Sequence, residues 1–319
     1  MRLLVTGGAG FIGSHFIRYI LHRYSRYEVI NLDSLTYAGN LERLSDVSDD
    51  LRYTFIHGNV AAKRDVWQAF TLKPDAIVHF AAESHVDRSI ADPDLFVRTN
   101  MLGTQVLLEA AREHGIQKYI QISTDEVYGT LGETGLFTEE TPLAPNSPYS
   151  ASKASADLLA RSYYETYGLP VTITRCSNNY GSHQYPEKLI PFMIFRALKD
   201  QPLPIYGDGF HIRDWLYVED HCRAVDLVLH GGRDGEVYNI GGRNERTNLE
   251  LVRLILKELG KPDSLIRFVP DRPGHDRRYG IDAGKIRHEL GWYPDHTLEE
   301  GLVQTIRWYV KQYERENCS

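Results

Sequence analysis

The stretch Gly7-Gly-Ala-Gly-Phe-Ile-Gly13 follows a short apolar run, Leu3–Thr6, and opens an amphipathic segment, Ile12–Arg23. Few features restrict a fold as strongly. Gly7, Gly10 and Gly13 answer three needs together: a tight turn, backbone close to a pyrophosphate, and a helix N-terminus aimed at it. One extra residue separates the first two glycines, and taken alone the pattern is equally compatible with a plain turn. Its context favours a dinucleotide. Asp33 closes the second candidate strand, where a carboxylate accepts hydrogen bonds from an adenosine ribose. That favours NAD over a 2′-phosphorylated cofactor, and no Arg directly follows Asp33.

The strand–helix rhythm continues through the first half. Candidate strands are Leu3–Thr6, Val29–Leu32, Tyr53–His57, Ala76–Phe80, Tyr119–Ser123 and Val171–Arg175, with amphipathic segments such as Ile12–Arg23 and Thr104–His114 between them. Continuous apolar strands alternating with helices imply a parallel sheet covered on both faces, hence an α/β, doubly wound (Rossmann) fold. After about Tyr180 the pattern breaks: Pro186, Pro191, Pro202 and Pro204 crowd together before Gly207 and Gly209, and the segment reads as loop-rich. A helix over Val218–His230 and a strand over Val237–Ile240 are read as returning to the sheet. Helices near Leu249–Leu259 and Leu298–Glu314 belong to a smaller α/β substrate-binding lobe. The expected division is 1–181 with about 217–241 for the cofactor domain, and about 182–216 with 242–319 for the second.

Bulk properties exclude several classes. With 319 residues, 42% hydrophobic and 25% charged, the chain has material for one large core or two unequal lobes. A net charge of −7 argues against broad nucleic-acid binding, so an anionic substrate needs a local basic pocket. Cys176, Cys222 and Cys318 have neither disulfide nor zinc-site spacing, and no metal is expected. No apolar run reaches membrane-spanning length and Arg2–Thr6 is too short for a signal h-region, so a cytoplasmic location is the expectation.

Tyr149-Ser-Ala-Ser-Lys153 follows Ser147-Pro148, which reads as an N-cap and a proline at the first helical position. Tyr149 and Lys153 then share one helix face. A free phenol has a pKa of ~10, and a nearby ammonium with a positive nicotinamide is expected to lower it. Thr124-Asp125-Glu126 leaves the carboxyl end of the strand ending at Ser123, where ligands of open α/β sheets bind. Two carboxyls there, driven apart in pKa, supply an acid and a base, which simple dehydrogenation does not require. A solvated acidic turn is the plainer reading of the same three residues.

Taken with FAAESHVDRSI, STDEVYG, YSASKA, CSNNYG, PEKLIP, IRDWLYVEDHC, YNIGGRNERTN and DRPGHDRRY, the chain resembles the extended short-chain dehydrogenase/reductases, and within them the dTDP-glucose 4,6-dehydratases, over nearly its whole length. The resemblance implies a cycle on dTDP-glucose. Tyr149, with Thr124 and Lys153, takes the O4 proton as hydride leaves C4 for NAD. Glu126 removes the C5 proton, Asp125 protonates the C6 hydroxyl so that water departs, and hydride returns to C6 as C5 is reprotonated. It also implies cofactor contacts at Phe11, Ile12, Asp33, Ser34, Leu35, Thr36, Asn59, Val60, Phe80, Ala81, Ala82, Thr99 and Asn179. Substrate contacts are implied at Ser84, Asn178, Lys188, Leu189, Pro204, Tyr206, Arg213, Asn248, Arg272, His275 and Tyr279, and a homodimer through helices near 100–114 and 150–167. Lys188, Arg213 and Arg272 are the cations that a nucleotide diphosphate needs. Asn59 stands where the family usually has Asp, and Gly181-Ser-His-Gln-Tyr185 replaces the usual GPYQF. A 4-epimerase would share the glycine turn and the Tyr/Lys pair without using Asp125 and Glu126.

Overall fold

The computed structural model describes residues 1–317, so Cys318 lies outside the described residues. In chain order the elements are β1 Arg2–Thr6, α1 Phe11–Arg23, β2 Glu28–Asp33, β3 Tyr53–His57, α2 Lys63–Phe70, β4 Ala76–His79, α3 Val86–Ala91 and α4 Pro93–Phe96. A π-helical turn, Val97–Leu102, leads into α5 Gly103–His114, followed by β5 Lys118–Thr124, α6 Pro148–Tyr167, β6 Val171–Cys176 and β7 Asn178–Tyr180. The rest comprises α7 Leu189–Leu198, β8 Leu203–Tyr206, β9 Ile212–Tyr217, α8 Val218–Gly231, β10 Val237–Ile240, β11 Glu245–Thr247, α9 Asn248–Glu258, β12 Ile266–Val269, α10 Gly284–Leu290 and α11 Leu298–Asn317.

Seven strands form one sheet in the order β10-β6-β5-β4-β1-β2-β3, and every pairing in it is parallel. β4 and β6 are buried along their entire length because both sheet faces are covered. On one face Phe16, Ile17 and Ile20 of α1 pack with Val225 and Val228 of α8. On the other, Val66 of α2, Leu107 and Leu108 of α5 and Ala160 of α6 form a second core. The chain reverses its direction of travel across the sheet between β1 and β4, which opens a crevice beyond their carboxyl ends. The strand over Val237–Ile240 does join the sheet, beside β6.

The region after Tyr180 corrects the loop-rich expectation. It contains α7, β8 and β9, and Ile190, Met193 and Ile194 of α7 pack with Val252 and Ile255 of α9 and Leu302 and Ile306 of α11 in a third core. Pro191 is tolerated because it lies in the first turn of α7, where backbone N–H groups have no intrahelical partner. Pro204 sits in β8, which pairs only with β12, so both are edge strands that accept proline. At α6 the cap is as expected: the Ser147 side chain accepts from the Ser150 backbone N–H, and Pro148 is the first helical residue.

Candidate active site

A cavity of about 340 Å³ lies along the carboxyl ends of β1, β4 and β5. Gly7 has a φ of +71°, and a Cβ there would sit 2.6 Å from the Ala81 backbone nitrogen. One on Gly13 would meet the Gly7 carbonyl oxygen at 2.3 Å. Side chains at either position would fill the cradle that a pyrophosphate needs. No side chain caps the α1 N-terminus and its first turn holds no acidic residue, so its N–H groups are left to an anion. Asp33 accepts from the Ala9 N–H at 2.9 Å and the Leu35 N–H at 2.8 Å, which leaves further acceptor capacity toward the groove. Burial, only partly opposed by those donors, raises its carboxyl above the usual range. These residues fit a dinucleotide.

Gly10, Phe11, Ile12, Ser34, Thr36, Asn59, Val60, Phe80, Ala81, Ala82, Thr99 and Asn179 also line this groove. Leu35 does not; it turns the chain after β2 with a φ of +48°. The Asn59 side-chain oxygen already accepts from the Ala61 N–H at 2.8 Å, and its backbone N–H donates to Asp65. Sequence reasoning missed Tyr37, Arg43 and Glu187, which line the cavity as well. It also missed Asn100, buried in the π-helical turn, which bonds both the N–H and carbonyl of Glu83 and the Ser152 hydroxyl. Asn100 thereby ties the loop after β4 to α6. Glu187 lies within PEKLIP, a motif already noted, but a buried Asn in a helix carries no local signal.

Thr124 ends β5 and caps a 3₁₀ turn over Asp125–Tyr128, its hydroxyl accepting from the Glu126 N–H at 3.2 Å. Thr124, Asp125, Glu126, Tyr149 and Lys153 share one stretch of cavity wall. Asp125 is 1% exposed, and one of its oxygens has no hydrogen-bond partner. Burial, then Glu126 and Asp214, holds its carboxyl well above the normal range. Burial also raises Glu126, but Arg272, Arg213 and Lys188 pull it back down. Both carboxyls thus lie above the usual range, Asp125 well above it, and Glu126 is the one opposed by three cations.

For Tyr149 the protein's own groups raise the phenol. Burial, with Glu126 and Cys176, raises the phenol well above its usual value, although the Thr124 hydroxyl bonded to it lowers it. The Lys153 ammonium donates to the Ile122 carbonyl at 2.5 Å and is itself lowered by burial. The protein alone keeps this tyrosine protonated.

Ser84, Asn178 and Lys188 line the same cavity; Leu189, Pro204, Tyr206, Arg213, Asn248, Arg272, His275 and Tyr279 do not. Most of these gather in an adjoining cluster instead. Arg213 lies over the Tyr279 ring at 4.2 Å, and Arg272 pairs with Asp87 at 3.4 Å. His275 stacks on His211 with ring centroids 3.7 Å apart, and Asp271 bridges the two imidazoles. Tyr206 meets His275 edge-on, and the Asn248 side-chain oxygen is buried without a partner. This cluster reaches the cavity through the charge of Arg213 and Arg272 on Glu126.

A glycine-lined crevice at the sheet's reversal point, with a tyrosine and lysine one helical turn apart beside it, defines a short-chain dehydrogenase/reductase of the extended type. Residues 4–305 match the family model described as GDP-mannose 4,6 dehydratase. The dTDP-glucose 4,6-dehydratase of Neisseria meningitidis serogroup B is 54% identical, over 97% of this chain and 93% of that one. That of Streptomyces venezuelae, solved with NAD bound, is 52% identical with a TM-score of 0.96, over 99% and 98% of the two chains. The UDP-glucose 4-epimerase of Thermotoga maritima, solved with UDP-glucose, is 33% identical with a TM-score of 0.91, over 98% and 100%. The chain belongs to the dTDP-glucose 4,6-dehydratases within this family.

Proposed function

We propose that the chain is an NAD-dependent hydro-lyase that converts dTDP-glucose to dTDP-4-keto-6-deoxyglucose. The observation that carries this reading is the pair of buried carboxyls at the end of β5: Asp125, 1% exposed, beside Glu126, whose charged form is favoured by Arg272, Arg213 and Lys188. An epimerase has no use for it. NAD, when bound, takes hydride from C4 and returns it at C6, so it is recycled each turnover.

The residues' own parts follow from their protonation. Tyr149, bonded to Thr124, would take the O4 proton as phenolate once the positive nicotinamide of bound NAD offsets its burial, with Lys153 fixed nearby on the Ile122 carbonyl. A C4 ketone acidifies the C5 hydrogen, and Glu126, kept ionisable by Arg272, Arg213 and Lys188, removes it. Asp125 holds the proton that converts the C6 hydroxyl into departing water. The nucleotide diphosphate belongs with Lys188, Arg213 and Arg272, and the remainder of the nucleotide with Tyr206, Asn248, His275 and Tyr279. The two-part division into a cofactor domain (1–181 with about 217–241) and a substrate domain (about 182–216 with 242–319) is part of this reading. So is a cytoplasmic homodimer through α5 and α6, supported by exposed Leu102 and Leu158. Among the described residues no helix is long and apolar enough to cross a membrane.

Mass analysis of the products from dTDP-glucose, UDP-glucose and GDP-mannose, offered in parallel, tests the assignment. Loss of water from dTDP-glucose in preference to the other two is the expected result. Inversion at C4 without that loss overturns it.

A further inference from the structure

Three segments far apart in sequence meet in the wall of the cofactor groove. Tyr37, in the loop after β2, donates its hydroxyl to Glu187 at 3.0 Å. Arg88, on α3, pairs with the other oxygen of the same carboxylate at 3.0 Å. The Arg88 guanidinium also lies 3.6 Å from the centre of the Tyr37 ring, and Tyr185 meets that ring edge-on at 5.3 Å. Tyr37 and Glu187 line the cavity while Arg88 covers them from outside, with 46% of its side chain exposed. Glu187 thus holds one cation and one hydroxyl, and both of those also hold each other.

We propose that Tyr37, Arg88 and Glu187 form a clasp that keeps the dinucleotide in its groove throughout turnover. The inference rests on the recycling cofactor of the proposed dehydration. A cofactor that is reduced and reoxidised on one substrate must not leave between the two hydride transfers, and nothing in the glycine cradle itself closes over it. The clasp joins the loop that follows Asp33 to the segment leading into α7. Its next residue, Lys188, donates to the Ser84 carbonyl at 2.7 Å and acts on Glu126. Sugar-side contacts and cofactor retention therefore share one stretch of chain. These are positioning residues: they touch one another and the groove rather than the reacting carbons.

The test is the rate at which preloaded holoenzyme releases NAD, measured by exchange against a fluorescent NAD analogue, with thermal melting as the control for folding. Arg88→Ala and Glu187→Gln are each expected to release NAD about tenfold faster at a melting temperature close to the parent's, as loss of a partly exposed ion pair and a cation–π contact implies. The charge swap R88E/E187R restores the ion pair without the ring contact, and is expected to recover most of the slow release. In the single variants, pyruvate and lactate dehydrogenase trap NADH that escapes during turnover. Unchanged release in both single variants overturns the clasp, as does a swap no slower than the singles. Because release is read without any sugar, that failure is distinct from a failure to dehydrate dTDP-glucose.

Discussion

Where the cavity turns around the α1 N-terminus, part of its wall is backbone and small side chains: Gly7, Gly10, Gly13, Ala81 and Ala82. Beside Glu126, where the proposed function places the sugar nucleotide, stand long cations brought in by separate segments, Lys188, Arg213 and Arg272. The first region recognises by shape, with clearances that a single methyl group closes. The second recognises by charge, and the same charges set the ionisation of Glu126. Perturbing the first should therefore change whether the cofactor binds, and perturbing the second should change how turnover depends on pH and substrate.

The largest effects are expected on the wall between the two regions. Tyr149→Phe should lower kcat by about 10²–10⁴-fold, the usual worth of a general base, while purified protein still carries NAD. Glu126→Gln should lose turnover by a similar ~10²–10⁴-fold but oxidise C4, so NADH absorbance builds up in a single turnover. Full turnover in that variant would remove Glu126 as the C5 base.

Next in size is Gly7→Ala, which forces a Cβ against Ala81 in a left-handed backbone conformation. Overpacking and strain of ~1–3 kcal/mol each should weaken NAD on the order of 100-fold, seen by titration calorimetry. A clean loss of kcat with normal NAD affinity would break the distinction between the two regions.

Arg272→Met sharpens the electrostatic side. Losing a charge-assisted contact worth ~1.5–3 kcal/mol should raise KM by about 10–100-fold. Arg272 is the strongest influence lowering Glu126, so its removal leaves burial less opposed and the Glu126 pKa rises. A base with a higher pKa stays protonated to higher pH, so the acid limb of the pH–rate profile should move upward. An unmoved limb would mean that Arg272 does not tune this carboxyl. Smallest is Asn59→Asp: a charged acceptor gains ~1 kcal/mol over a neutral one, tightening NAD about fivefold.

The same contrast explains what the amino-acid order revealed. β1 and β4 were legible because doubly covered parallel strands carry apolar runs, β6 because its residues are largely β-branched, and the glycine turn because its three roles fall within seven residues. Thr124–Glu126 and Tyr149/Lys153 are likewise local. After Tyr180, α9 and α11 were legible from their periodicity, but α7, β8 and β9 were not, since proline normally signals interruption and only its position in the first turn of α7 or on edge strand β8 makes it harmless. Glu187 and Tyr37 lie 150 positions apart, and Arg43 reaches the Ala9 carbonyl across 34. No periodicity links such pairs. The phenol's raised pKa was equally invisible, because it depends on how deeply Tyr149 sits between Glu126 and Cys176.

Asp33 carries a consequence for redesign. Its carboxylate is also the strut that holds the Ala9 and Leu35 amides, so it shapes the very loop that receives the phosphates. Swapping it for a small neutral residue to admit a phosphorylated coenzyme would slacken that loop at the same stroke. An engineer aiming at such a switch has to replace two amide anchors along with one negative charge.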